Sequence, residues 1–184
     1  MEETLVSRWF GAHYTQLDPL LQDLHRHGGT LSGQVGITTA GWLGRQLGRK
    51  LGIPTDQPET HLTVHIRHDD AGLHWQRRFG SHADVSSLFI PVGSWPTGYW
   101  LEHTGFLRLK LTVDVIEGGW YWRALGISAG GLPLPLCLFP QSLAYKRVEN
   151  NKYRFGVRFT LPLLGSILGY EGLLTAEVSA AVPG

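Results

Sequence analysis

The chain has 184 residues, 42% of them hydrophobic, with 16 lysines and arginines against 15 aspartates and glutamates, for a net charge of +1. That length suits a single domain over 1–184 with one sizeable core, and the near-neutral balance argues against a nucleic-acid surface, which needs cations to neutralise phosphates. The one cysteine, Cys137, excludes an internal disulfide. The N-terminus lacks a signal-peptide pattern, and no apolar run reaches the roughly 20 residues of a bilayer-crossing helix, so a cytoplasmic location is expected.

The 24 glycines and 10 prolines, set among aromatics and β-branched residues, favour short strands joined by turns. The first element is a helix in "QLDPLLQDLHRHGG": Asp18 is the N-cap, Pro19 the first helical residue, and Gly28 and Gly29 the stop. The histidines at 25 and 27 are expected to cap its last carbonyls or complement its dipole. A strand in "TLSGQVGIT" follows, then a second helix in "TAGWLGRQLGRKLGIP", where Leu43, Leu47 and Leu51 form one stripe and Gly44, Gly48 and Gly52 another. Glycine weakens a helix by about 1 kcal/mol against alanine, so this spacing predicts a backbone lying close against a neighbour. Arg45, Arg49 and Lys50 form a basic flank suited to an anionic surface or, more simply, to water.

From residue 60 the period becomes two. "HLTVHIRH" and "LHWQRRFG" read as a hairpin with the loop at Asp69 to Gly72, which sets His68 against Leu73, Ile66 against Trp75 and Val64 against Arg77. "FLRLKLTVDV" and "WYWRAL" form a second hairpin, and "LAYKRVE" and "KYRFGVRFTL" a third around "ENNK"; "LGYEGLLTAEV" supplies the last strand. The prolines of "GLPLPLCLFP" argue against regular sheet pairing there and suggest an apolar plug or lid. The fold class expected is α+β, a strongly curved antiparallel β-sheet or partial barrel of about seven to nine strands with two helices in the N-terminal half.

The hairpin parity places Arg77 on the apolar face with Leu73, Trp75 and Phe79. A buried charge must be paired, reach the rim or face an anionic ligand, and Glu102, which shares parity with Trp100, is the first candidate partner. Metal chemistry is poorly served: His61, His65 and His74 share an outer face, but a third close ligand of the right type is missing. Cys137 sits in an apolar stretch that keeps a thiol inert, and no nucleophile elbow or phosphate-binding loop is present. No cofactor is expected.

The ordered set "LGIP", "HWQRRFG", "GLPLPLCLFP" and "RFGVRFTLPLLGSILGYEG" resembles a bacterial family known as domain of unknown function forty-one sixty-six, from about Leu24 to Leu173. Members occur alone or joined to reductase-like or membrane segments, so the resemblance implies an accessory or ligand-handling module and carries over no catalytic residue. Candidate ligand-binding residues are Trp75, Arg77, Phe79, Trp100, Glu102 and Trp122, with Tyr170 from the last motif. The expected function is noncatalytic binding of a small apolar or amphipathic, acid-bearing ligand. The alternatives are an interaction module docking an oxidoreductase or membrane-protein partner through the helix of Arg45 and Arg49, and an enzyme on a hydrophobic substrate with His74 or Glu102 as acid or base.

Overall fold

The computed structural model describes residues 3–82, 84–105, 107–135 and 141–179. Cys137 and Pro140, and with them the second half of the expected lid, lie outside the described residues. Among the described residues there are three α-helices: α1 (Leu5–Phe10), continued by a 3-10 turn over Gly11–Gln16, α2 (Pro19–His27) and α3 (Gly41–Lys50). The expected pair is α2 and α3. Asp18 Oδ1 accepts from the Leu20 amide at 2.9 Å, and Gly28, at φ 74°, ends α2 in a conformation that suits glycine. The additional helix, α1, has only six residues, too few for a periodic stripe, and starts at a reciprocal cap between Thr4 and Ser7.

The strands in chain order are β1 (Gly29–Thr39), β2 (Glu59–Asp69), β3 (Gly72–Phe79), β4 (Val85–Val92), β5 (Tyr99–Thr104), β6 (Leu107–Ile116), β7 (Gly119–Ala129), β8 (Leu132–Leu134), β9 (Gln141–Glu149), β10 (Lys152–Leu161) and β11 (Gly165–Val178). All pairings are antiparallel, in the order β6-β5-β4-β3-β2-β1-β11-β10-β9-β7, and β6 pairs with β7 to close a ten-stranded barrel. β8 is an eleventh strand on the edge of β7. The expected seven to nine strands are too few chiefly because β4 breaks the alternation: its inward positions include Ser87 as well as Phe89.

The first hairpin has the expected register, with His68 opposite Leu73, Ile66 opposite Trp75 and Val64 opposite Arg77. "GLPLPL" departs from expectation, because Leu132–Leu134 does pair, and Leu132 and Pro133 are exposed rather than packed as a plug. An edge strand tolerates proline on its unpaired side.

The barrel end that carries the β2–β3, β6–β7 and β9–β10 turns is stopped by α1 and α2 instead. Trp9 packs edge-on against Trp100 at 5.3 Å, and Phe10 edge-on against Trp120 at 5.1 Å. The Trp9 carbonyl accepts from the Trp95 amide, and the Asp18 amide donates to the Gly118 carbonyl, both at 2.9 Å. At the opposite end α3 lies on β11. A Cβ on Gly44 would stand 2.0 Å from the Ile167 carbonyl oxygen, and one on Gly48 2.2 Å from the Thr55 methyl, so the glycine stripe marks the close approach that its spacing predicts.

Candidate functional site

Ten strands enclose more space than their inward side chains fill. A cavity of about 830 Å³ runs through the barrel, within the roughly 300–1,000 Å³ range typical of small-molecule sites. Its walls are largely apolar, including Leu31, Leu62, Val64, Phe89, Leu111 and Phe155. A second hollow, of about 740 Å³, lies outside the barrel beside the end of α3, and both spaces touch Leu51, Ile53, Val85, Thr104 and Leu107. Those five residues separate the two spaces at the barrel end that carries α3.

Of the seven predicted site residues, Trp75, Arg77, Phe79, Glu102, Trp122 and Tyr170 line the cavity. Trp100 does not: it is fully buried beyond the cavity, packed between Trp9 and Trp120.

Arg77 meets a built polar patch. Its Nη2 donates to Ser87 Oγ and lies 3.9 Å from Glu102 Oε1, while Nη1 donates to the Tyr170 hydroxyl at 3.3 Å. Glu102 Oε1 also accepts from Ser87 Oγ at 2.9 Å and Thr104 Oγ1 at 2.8 Å. The charge on this patch is therefore balanced within the protein. Ser87 occupies an inward position that an ordinary core would give to an apolar residue, because the arginine and the carboxylate both need it.

Lys146 is the site residue that the sequence reading missed. It extends from β9 into the interior, 2% exposed, and lines the cavity. Its Nζ stands 3.7 Å from the ring centre of Trp120 and 4.8 Å from that of Trp75, and it shares a hydrogen bond of 2.6 Å with His25 Nε2. Among the described residues no carboxylate pairs with it. Burial pushes its ammonium well below the usual lysine range. His25 is held far below its usual range by burial, then by Lys146 and His68, and His68 is pushed down to about 4, chiefly by burial.

His25 thus faces the barrel interior from α2, a correction to the expected capping role. It lies one helical turn after Leu21 on the buried face, and that spacing was the available signal. For Lys146 the signal was parity, since in "LAYKRVE" Ala144, Lys146 and Val148 share a face. Nearby, Trp75 Nε1 and the fully buried Tyr153 hydroxyl also line the cavity and have no hydrogen-bond partner among the described residues. Buried polar groups in native folds are nearly always satisfied. The deep end of the cavity therefore offers donors that the protein itself leaves unused.

The outer-face histidines are engaged otherwise. His74 Nε2 meets Asp69 Oδ1 at 2.8 Å, and His65 Nδ1 meets Thr30 Oγ1 at 3.1 Å.

The family model described as "Domain of unknown function (DUF4166)" matches residues 17–174, which include α2, the whole barrel wall as far as Leu174, Arg77 and Lys146. The chain belongs to the DUF4166 family. No curated protein matches it. In this DUF4166 chain the matched span begins after α1, so Trp9 and Phe10 lie outside it.

Proposed function

We propose that the barrel is a noncatalytic binding module for one elongated apolar molecule with an acidic group, the acid lying deep against Lys146 and the apolar body filling the space toward α3. The observation that carries this reading is Lys146 itself, a buried amine in a cavity wall with no carboxylate partner among the described residues. An isolated ammonium in an apolar interior is costly, and an anion beside it removes the cost while gaining charge-assisted hydrogen bonds. Tyr153 and Trp75 supply further donors for the second oxygen of such a group. Arg77 is a weaker anchor, because Glu102 balances its charge and Ser87 and Tyr170 take its two terminal nitrogens, leaving only the buried Nε without a partner among the described residues.

The test is a titration, followed by native mass spectrometry, with a long-chain fatty acid, its methyl ester and the corresponding alcohol. The acid should bind more tightly than the ester by roughly ten- to hundredfold, the equivalent of one charge-assisted hydrogen bond. Lys146→Met should remove that preference while leaving alcohol binding in place. Equal binding of acid and ester would sink the head-group assignment, and binding of none of the three would sink the cavity reading.

A further inference from the structure

Five of the large hydrophobic side chains left in water lie at the barrel end that carries α3. Trp42 and Leu43 open α3, Leu163 and Leu164 form the β10–β11 turn, and Leu132 lies on β8. Trp42 is 65% exposed, Leu163 107% and Leu164 63%, values unusual for residues of this size. The first four form one patch. The β10–β11 turn runs straight into Ile167, whose carbonyl accepts from the Ala40 amide at 2.8 Å just before α3 begins.

The charge on the two segments that carry the patch has one sign, while Asp56 and Asp84 line the hollow beside the end of α3. Neither residues 24–55 nor residues 150–170 contain an aspartate or glutamate, in a chain that is nearly neutral overall. The first stretch carries Arg45, Arg49 and Lys50 on α3, and the second carries Arg158 on β10, all exposed. On α3, Trp42, Arg45 and Arg49 recur at helical spacing on the solvent side, opposite the buried Gly44 and Gly48. A short helix with an interfacial tryptophan and a basic outer face, beside an exposed leucine turn, has the chemistry of a surface that enters the headgroup layer of a bilayer.

We propose that α3 and the β10–β11 turn dock this barrel on an anionic lipid surface, with the α3 end of the barrel facing the membrane. Trp42, Leu163 and Leu164 enter the headgroup and upper acyl region, and Arg45 and Arg49 meet the lipid phosphates. Docking in this orientation lets an apolar molecule pass between bilayer and cavity without crossing water, and it goes beyond the binding reading above.

Flotation with vesicles of phosphatidylcholine alone, and of phosphatidylcholine with about one third phosphatidylglycerol, tests the inference. The chain should float with the anionic vesicles and not with the neutral ones, and added salt should release it. The double variant Arg45→Glu/Arg49→Glu should lower the partition coefficient at least about tenfold, since each basic residue near such a surface contributes on the order of 1 kcal/mol. Leu163→Ser/Leu164→Ser should weaken binding at low salt although every basic residue is kept. Both variants should still titrate with the fatty acid as the unsubstituted chain does, which separates lost docking from lost folding or a lost cavity. Equal recovery with both vesicle types, or none with either, would overturn the proposal. Capture by polyglutamate without vesicle binding would also overturn it, in favour of an acidic protein partner.

Discussion

Arg77 and Lys146 are two cations inside one barrel with opposite solutions to the same problem. Arg77 is paired: removing it strands Glu102, Ser87 and Tyr170, so Arg77→Met should cost about 3 kcal/mol of unfolding free energy. Lys146 is unpaired, and a hydrophobe of similar length there removes a desolvation penalty. Lys146→Met should therefore stabilise the ligand-free chain by about 1–3 kcal/mol while abolishing the acid preference. Urea titrations of the two variants check the contrast, and matching losses of stability would show that Lys146 is held by its neighbours as Arg77 is. Strand parity made both residues legible as inward-facing. It did not tell them apart, because the partners come from β4, β5 and β11 in one case and from α2 and β7 in the other.

Among the elements, α3 is the one that the sequence described best and explained least. Its leucine and glycine stripes, and its stop at Gly52, follow from local rules. That the glycines admit the Ile167 carbonyl, and that Leu47 and Leu51 reach the cavity, depend on where β11 runs. Gly44→Ala places a methyl 2.0 Å from that carbonyl, and α3 must lift to relieve it. The expected cost is about 1–3 kcal/mol, with faster amide exchange concentrated in α3 and the start of β11. Unchanged exchange there would show that the helix adjusts without leaving the sheet. β4 was missed for a reason tied to the site, since the inward Ser87 that serves Arg77 and Glu102 is the residue that spoils the alternation.

For the whole molecule two buried bases and one half-buried base set the response to pH. Lys146, His25 and His68 all bind protons less readily in the fold than in the unfolded chain, where their values are near 10.5 and 6.5. Wherever the unfolded state holds more protons, stability rises with pH. Acidification should therefore destabilise the ligand-free barrel: the His68 contribution is lost as pH falls from 6.5 through about 4, and His25 adds to that loss over a window that also starts near 6.5. Lys146 adds a further gain as pH rises toward 10.5. Denaturation midpoints measured from pH 4.5 to 9 test this, and a midpoint rising on acidification would contradict it. A bound acid favours the charged amine, so a saturating fatty acid should raise the midpoint and flatten its rise on the alkaline side.

The sequence by itself determined what period and local chemistry control: the two longer helices and their caps, the hairpin registers, and the inward position of Arg77. Those features rest on contacts within one turn of helix or across one tight turn. The tertiary structure decided the rest. Closure of β6 onto β7, the entry of α1 as a stopper, and the meeting of Lys146 with His25 join residues far apart in the chain. Closure into ten strands also leaves the middle open, because the width of a barrel follows from the number and tilt of its strands, which no single strand encodes.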